Sequence, residues 1–154
     1  MLRSDRHDLR YLRFARAISK AATCSRAHVG AVIVLDGRVV SIGYNGAPRG
    51  APHCPTECET YLVDGVKHCK RAVHAEVNAI ANAAYVGART AGGVLYCTHT
   101  PCIQCAKLAV NAGIVEIVYY QTYRDLSELS RLCEETGLRL LNRGNLWAEI
   151  LQSD

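Results

Sequence analysis

No stretch of this sequence stays apolar long enough to cross a bilayer, which speaks against a membrane-spanning helix. Met1 to Lys20 carries charge throughout and lacks the apolar block of a secretion signal, so a cytoplasmic protein is expected. Internal repeats, low-complexity tracts and linkers are missing too, leaving arrays and multi-domain chains without support. What remains is 154 residues, 49% of them apolar, enough for one core and too few for two comfortable ones. A single domain spanning 1–154 is therefore expected.

The net charge of +4 is ordinary for a soluble domain and says little. Much of the excess sits in Arg3, Arg6, Arg10, Arg13, Arg16 and Lys20, whose three- and four-residue spacing makes one solvated helix face rather than a nucleic-acid footprint. Cysteine, by contrast, is abundant at eight residues. Such a count suggests disulfides in a small exported protein, but without an export signal clustered Cys and His read as metal ligands.

Apolar periodicity predicts a helix from about Asp5 to Thr23, then strands at Val29 to Leu35 and Val39 to Tyr44 joined by the hairpin turn Asp36-Gly37. From Asn45 to Arg71 the pattern breaks on Gly and Pro, and residues 46–72 read as a Cys-rich, zinc-binding loop insertion. Helical period returns from His74 to Tyr85; a strand is predicted over Gly92 to Thr98 and a helix from Pro101 to Gly113. A strand at Ile114 to Tyr120, a helix at Leu126 to Glu135 and a short strand at Leu138 to Leu141 precede a tail, 142–154. The sum is α/β: helices on a mixed five-stranded sheet whose fourth and fifth strands run parallel, as the helix between them requires.

The chemistry lies in two short runs, His74-Ala75-Glu76 and, 24 residues on, Pro101-Cys102-Ile103-Gln104-Cys105. One imidazole and two thiolates are three zinc ligands, one short of a tetrahedron, which leaves room for a water. Glu76, two residues from the histidine, suits proton transfer to and from that water. Cys102 and Cys105 are one helical turn apart, and a helix N-terminus favours their thiolates. Alone, Pro-Cys-x-x-Cys also fits a structural zinc knuckle or a redox pair; the added His-x-Glu favours catalysis.

The two runs together match the zinc deaminase pattern His-x-Glu…Pro-Cys-x-x-Cys. With Cys24-Ser25-Arg26 before Val29-Gly30-Ala31-Val32, Gly43-Tyr44-Asn45-Gly46-Ala47-Pro48-Arg49-Gly50, and His74 to Ile80, the chain resembles the cytidine/deoxycytidylate deaminase superfamily, and within it the deoxycytidylate (dCMP) deaminases. That resemblance implies a three-layer α/β/α fold and hydrolysis of dCMP to dUMP and ammonia in pyrimidine deoxynucleotide metabolism. It makes His74, Cys102 and Cys105 the zinc ligands and Glu76 the group that takes a proton from water, delivers it to N3 and helps the amine leave. Asn45 is expected to bind the sugar hydroxyl or, alternatively, to be a left-handed turn residue. Thr98, His99 and Thr100 are expected to line the base pocket, and Arg26 and Tyr123 are the candidates for the phosphate.

Many dCMP deaminases also carry a second, structural zinc, for which the resemblance makes Cys24, Cys54, Cys58 and Cys69 the expected ligands, with His53 or His68 as alternatives. Control by dCTP and dTTP through Gly46, Arg49 and Gly50 is implied as well, as is a homo-oligomer, hexamer or dimer; neither a membrane nor a nucleic acid is an expected partner. Cys97 and Cys133 read as small core residues. A tRNA adenosine deaminase and a zinc-stabilised protein without turnover are the competing readings.

Overall fold

A computed structural model describes residues 5–63, 65–122 and 124–152. Its sheet grows from the predicted hairpin: β1 (Gly30–Leu35) pairs antiparallel with β2 (Arg38–Tyr44), and the turn between them has both Asp36 and Gly37 at positive φ. Two left-handed central residues give the type I′ turn whose twist matches that of the strands. On its other edge β1 pairs antiparallel with β5 (Val94–His99), which runs parallel to β6 (Glu116–Gln121) and that to β7 (Arg139–Asn142). The sheet order is therefore β2-β1-β5-β6-β7.

Side chains alternate across this sheet with period two and build a separate core on each face. Ala31, Ile33, Leu95, Cys97, Ile117 and Tyr119 face one way, against α2 (Ala75–Val86), α3 (Ile103–Asn111) and α4 (Ser127–Thr136). Val32, Val34, Tyr96, Val118 and Tyr120 face the other, against α1 (Asp5–Ser19) and α5 (Trp147–Leu151). The result is three layers, helix on sheet on helix. Because both faces are covered, β1 and β6 are near-continuous apolar runs instead of alternating ones.

Close approach of helix to sheet depends on missing side chains. At Gly43 a Cβ would collide with the backbone of Ala75 and Ala79, so α2 lies directly on β2. One polar group is fully buried on the α1 side: the Asp8 carboxylate accepts from Tyr96 Oη at 3.1 Å and from Arg143 at 2.7–2.8 Å, and Arg143 also pairs with Asp5 at 2.8 Å. Paired in this way, the buried charge ties the end of β7 to α1.

Four expectations need correction. The first helix stops at Ser19, four residues early, because Thr23 leaves the helix to donate its N–H to Asn45 O at 3.1 Å. The helix predicted from Pro101 begins at Ile103: Cys102 is its N-cap in extended conformation, with Sγ accepting from Cys105 N–H at 3.4 Å. The insertion is not structureless, since β3 (Thr60–Val63) and β4 (Val66–Cys69) pair antiparallel. The stretch 142–152 is not a loose tail either: a 3₁₀ turn at Gly144–Leu146 leads into α5, and Leu146 and Ile150 complete the core under α1.

Candidate active site

Both halves of the metal pattern sit where a helix leaves the sheet. His74 is the extended N-cap residue of α2, Glu76 lies in the first turn of that helix, and Cys102 caps α3. Three ligand atoms converge there. His74 Nδ1 is 3.3 Å from Cys105 Sγ and 3.5 Å from Cys102 Sγ, and the two sulfurs are 3.2 Å apart. Among the described residues this is the group of three metal-binding side chains in mutual reach. Zinc bonds of about 2.0–2.1 Å to nitrogen and 2.3 Å to sulfur give tetrahedral edges of roughly 3.6–3.8 Å, so the trio fits the ion after a small expansion.

The protons on this trio are shared. Hydrogen bonding from Cys105 and His74 holds the Cys102 thiol far below its ordinary range against the effect of burial, while the same contact pushes Cys105 up. The Cys102 contact raises His74, and burial raises Glu76. Glu76 is 3% exposed and has the elevated proton affinity expected of a carboxylate that picks up and releases protons.

Beside the trio opens a cavity of about 320 Å³, within the size range of small-molecule sites. His74 and Glu76 line it, together with Asn45, Arg26, His99, Lys67, His68 and Arg124. Asn45 does not adopt the left-handed conformation allowed for it above. Its Oδ1 accepts from Val29 N–H and its Nδ2 donates to Ala27 O, both at 2.8 Å, bracing the loop before β1 while the residue lines the cavity. His99 also lines it, and burial lowers the pKa of its ring.

Thr98 and Thr100 lie elsewhere than expected. Both are 1% exposed: Thr98 Oγ1 accepts from Gly30 N–H at 3.2 Å and is 2.8 Å from His99 Nδ1, while Thr100 Oγ1 donates to Gln121 O at 3.0 Å. Their hydroxyls are used inside the fold. Tyr123 lies outside the described residues. Arg124, its neighbour, and Lys67 were missed from sequence, because they reach the cavity from the loop after β6 and from β4, neither of which carries a local motif.

The insertion cysteines come together more loosely. Burial raises the thiol pKa of Cys54, and the neighbouring Cys69 raises that of Cys58, whose Sγ lies 3.7 Å from Glu59 O. Backbone N–H groups reach two of the sulfurs: Arg26 to Cys24 at 3.4 Å, Arg71 and Ala72 to Cys69 at 3.4 and 3.3 Å. Burial pushes Cys69 up, but those amides and the neighbouring thiols outweigh it and leave Cys69 below its ordinary value. His53 lines a different cavity, and His68 stacks on Tyr61 with ring centres 5.6 Å apart. That second cavity, also about 320 Å³, is lined by Arg49, Gly50, Tyr44, Asn78 and Asn82 among others, with the Arg49 guanidinium 4.8 Å from the centre of the Tyr85 ring. Gly46 pairs with Val73 through two backbone hydrogen bonds, and a Cβ there would strike Thr23.

The sequence model of the cytidine and deoxycytidylate deaminase zinc-binding region matches residues 5–121. The chain belongs to that family. It is 41% identical over 117 residues to the ComE operon protein 2 of Bacillus subtilis, covering 76% of this chain and 60% of that protein. It is 40% identical over 119 residues to the deoxycytidylate deaminase of Mycobacterium phage D29, covering 71% and 90%. Among solved structures it is similar to the dCMP deaminase of cyanophage S-TIM5 in complex with dCMP and dUMP, at 30% identity and TM-score 0.77, covering 92% of this chain and 99% of that one. The chain thus spans less than two thirds of the Bacillus relative but nearly all of the two phage enzymes. For a member of this family, the convergence of His74, Cys102 and Cys105, with His74 and Glu76 also lining the cavity, is the arrangement that the sequence pattern implies.

Proposed function

We propose that this chain hydrolyses the 4-amino group of dCMP, giving dUMP and ammonia. The observation that carries this reading is one cavity lined by the buried carboxylate Glu76, by His74 of the metal trio and by three cationic residues, Arg26, Lys67 and Arg124. The carboxylate and the trio are the groups that hydrolysis needs, and the cations suit a phosphate dianion. His74, Cys102 and Cys105 would hold zinc, which supplies Lewis-acid activation of a water when bound. Glu76 removes one proton from the water that attacks C4 and passes it to N3. It then carries the second, from the new C4 hydroxyl, to the amine as the C4–N bond breaks and the carbonyl forms. Dry surroundings keep that carboxylate ready to carry protons, and Asn45 braces the wall beside it. The neutral His99 ring adds a further polar surface to the wall.

Ammonia release from dCMP by the zinc-loaded protein tests the proposal. Glu76→Gln should lower kcat about 10³-fold or more with zinc content and Tm unchanged. Turnover of dCMP that survives this substitution sinks the assignment of Glu76, and none by the parent protein sinks the substrate.

Several finer readings belong with this one. Cys24, Cys54, Cys58 and Cys69 are proposed as ligands of a second, structural zinc; their thiol contacts and backbone amide donors support it, and elemental analysis giving two zincs per chain checks it. The Arg49 cavity is proposed to take a dCTP or dTTP effector. A homo-oligomer, hexamer or dimer, is supported by the exposed apolar Val39, Ile42 and Tyr44 on the edge strand β2. Sedimentation with and without dCTP checks both. Among the described residues no helix is long and apolar enough to cross a membrane. A cytoplasmic setting suits ligand thiols, which must stay reduced, and cell fractionation checks it. We treat 1–154 as one domain, with 46–72 as the cysteine-rich insertion; a single cooperative unfolding transition is the test.

A further inference from the structure

We propose that the β3–β4 hairpin and its cysteine cluster set the preference of the cavity for a phosphorylated nucleotide, with Lys67 as the specificity-determining cation and the cysteines as its positioning device. The inference rests on the deaminase reading and adds a division of labour to it. Three observations lead there. First, Lys67, His68 and Cys69 of β4 line the same cavity as His74 and Glu76, so the insertion is a wall of the site and not a remote appendage. Second, two of the cavity cations are each two residues from a clustered cysteine: Arg26 from Cys24, and Lys67 from Cys69. They are also joined to each other, since the Arg26 guanidinium donates to Lys67 O at 3.5 Å while Arg26 N–H is held on Cys24 Sγ.

Third, this hairpin has little packing of its own. Tyr61, Leu62, Val63 and Val66 are exposed, and an isolated two-stranded pair is marginal in water. Its anchorage is polar and lies at the base: Arg71 and Ala72 N–H on Cys69 Sγ at 3.4 and 3.3 Å, Lys70 N–H on Glu59 O at 3.0 Å, and the Arg71 guanidinium on Pro52 O at 3.3 Å. A lysine on a mobile hairpin attracts phosphate weakly, because ordering it opposes the charge attraction; a lysine held in place does not bear that cost at binding. Cross-linking the cysteines therefore acts on substrate affinity. It has little leverage on the chemical step, which lies on α2 and α3.

The test uses the zinc-loaded full chain and its Lys67→Ala, Lys67→Arg and Cys58→Ser variants. Calorimetry measures binding of dUMP and of deoxyuridine, kinetics are measured with dCMP, and zinc is counted on the same samples. For Lys67→Ala the affinity ratio of dUMP to deoxyuridine should fall about tenfold and KM for dCMP rise by a similar factor at nearly constant kcat. Lys67→Arg, which keeps the charge, should recover most of the ratio. Cys58→Ser should lose one zinc and weaken dUMP binding without changing that of deoxyuridine. An unchanged ratio in Lys67→Ala, or equal weakening of both ligands, overturns the assignment of Lys67. Loss of zinc from Cys58→Ser with dUMP affinity intact overturns the positioning role; if that variant does not fold, Lys67→Ala and Lys67→Arg decide the specificity claim alone. A parent protein that binds dUMP more tightly than deoxyuridine but releases no ammonia refutes the proposed activity and leaves the binding arm decisive here.

Discussion

The catalytic groups and the β3–β4 wall of the cavity beside them are built on opposite principles. The reacting groups, His74, Glu76, Cys102 and Cys105, come from the N-caps and first turns of two helices laid on a sheet covered on both faces, and Ala75, Ala79, Ala106 and Ala109 of those helices are fully buried. The wall at β3–β4 has two strands, which form a sheet of their own, and a row of exposed apolar side chains. Close packing fixes the first; sulfur contacts and a few hydrogen bonds fix the second. Reacting groups that must hold their places to within a fraction of an ångström thus sit where packing is dense. Substrate-contacting groups that need only be delivered to the right region sit where a local clamp suffices.

Stripping metal with a strong chelator should give the largest contrast between the two regions. A structural zinc contributes on the order of 10 kcal/mol to small folding units. Amide hydrogen exchange over 54–70 should therefore speed up by orders of magnitude, while the amides of β1, β5 and β6 keep their protection. Equal loss of protection in both regions would mean that the hairpin and the core unfold as one unit. A smaller effect separates the regions by mutation: Ile150→Ala, which empties a fully buried position under α1, should cost about 2–4 kcal/mol in urea unfolding. At the other extreme Leu62→Ala removes a larger than average apolar side chain that is 67% exposed, and stability should change by less than about 0.5 kcal/mol. A cost for Leu62→Ala comparable to that of Ile150→Ala would show that the hairpin face is covered in solution.

What could be read from sequence follows the same boundary. The sheet and its helices were legible because packing imposes periods: Ala31, Ile33 and Val32, Val34 sort to opposite faces, and His74 and Cys102 stand at helix starts. Beside them the hairpin escaped notice although Thr60-Tyr61-Leu62-Val63 precedes an Asp-Gly pair at 64–65, the same turn signal that located β1 and β2. The surrounding Pro, Gly and Cys concealed it. The terminal helix was missed because five residues carry no measurable period, and its place is fixed by Ile150 alone among buried side chains of that helix. Lys67 and Arg124 were invisible for a different reason. They meet only in three dimensions, and a cation on a strand or loop looks the same in sequence whether it faces a cavity or the solvent. Thr98 and Thr100, neighbours of His99 in sequence, make their hydroxyl hydrogen bonds within the sheet and its edge.

Gly43 gives the catalytic groups their least forgiving point. It sits on β2, more than thirty positions away in sequence from the first residue of α2, and touches no ligand, yet the space above its Cα is filled by the backbone of Ala75 and Ala79. Any side chain there would lift the first turn of α2, carrying His74 and Glu76 away from Cys102 and Cys105, which stand on a different helix. The spacing of the trio is in this sense calibrated by a vacancy of one methyl group. A strand with no part in the chemistry acts as the gauge against which the reacting parts are set.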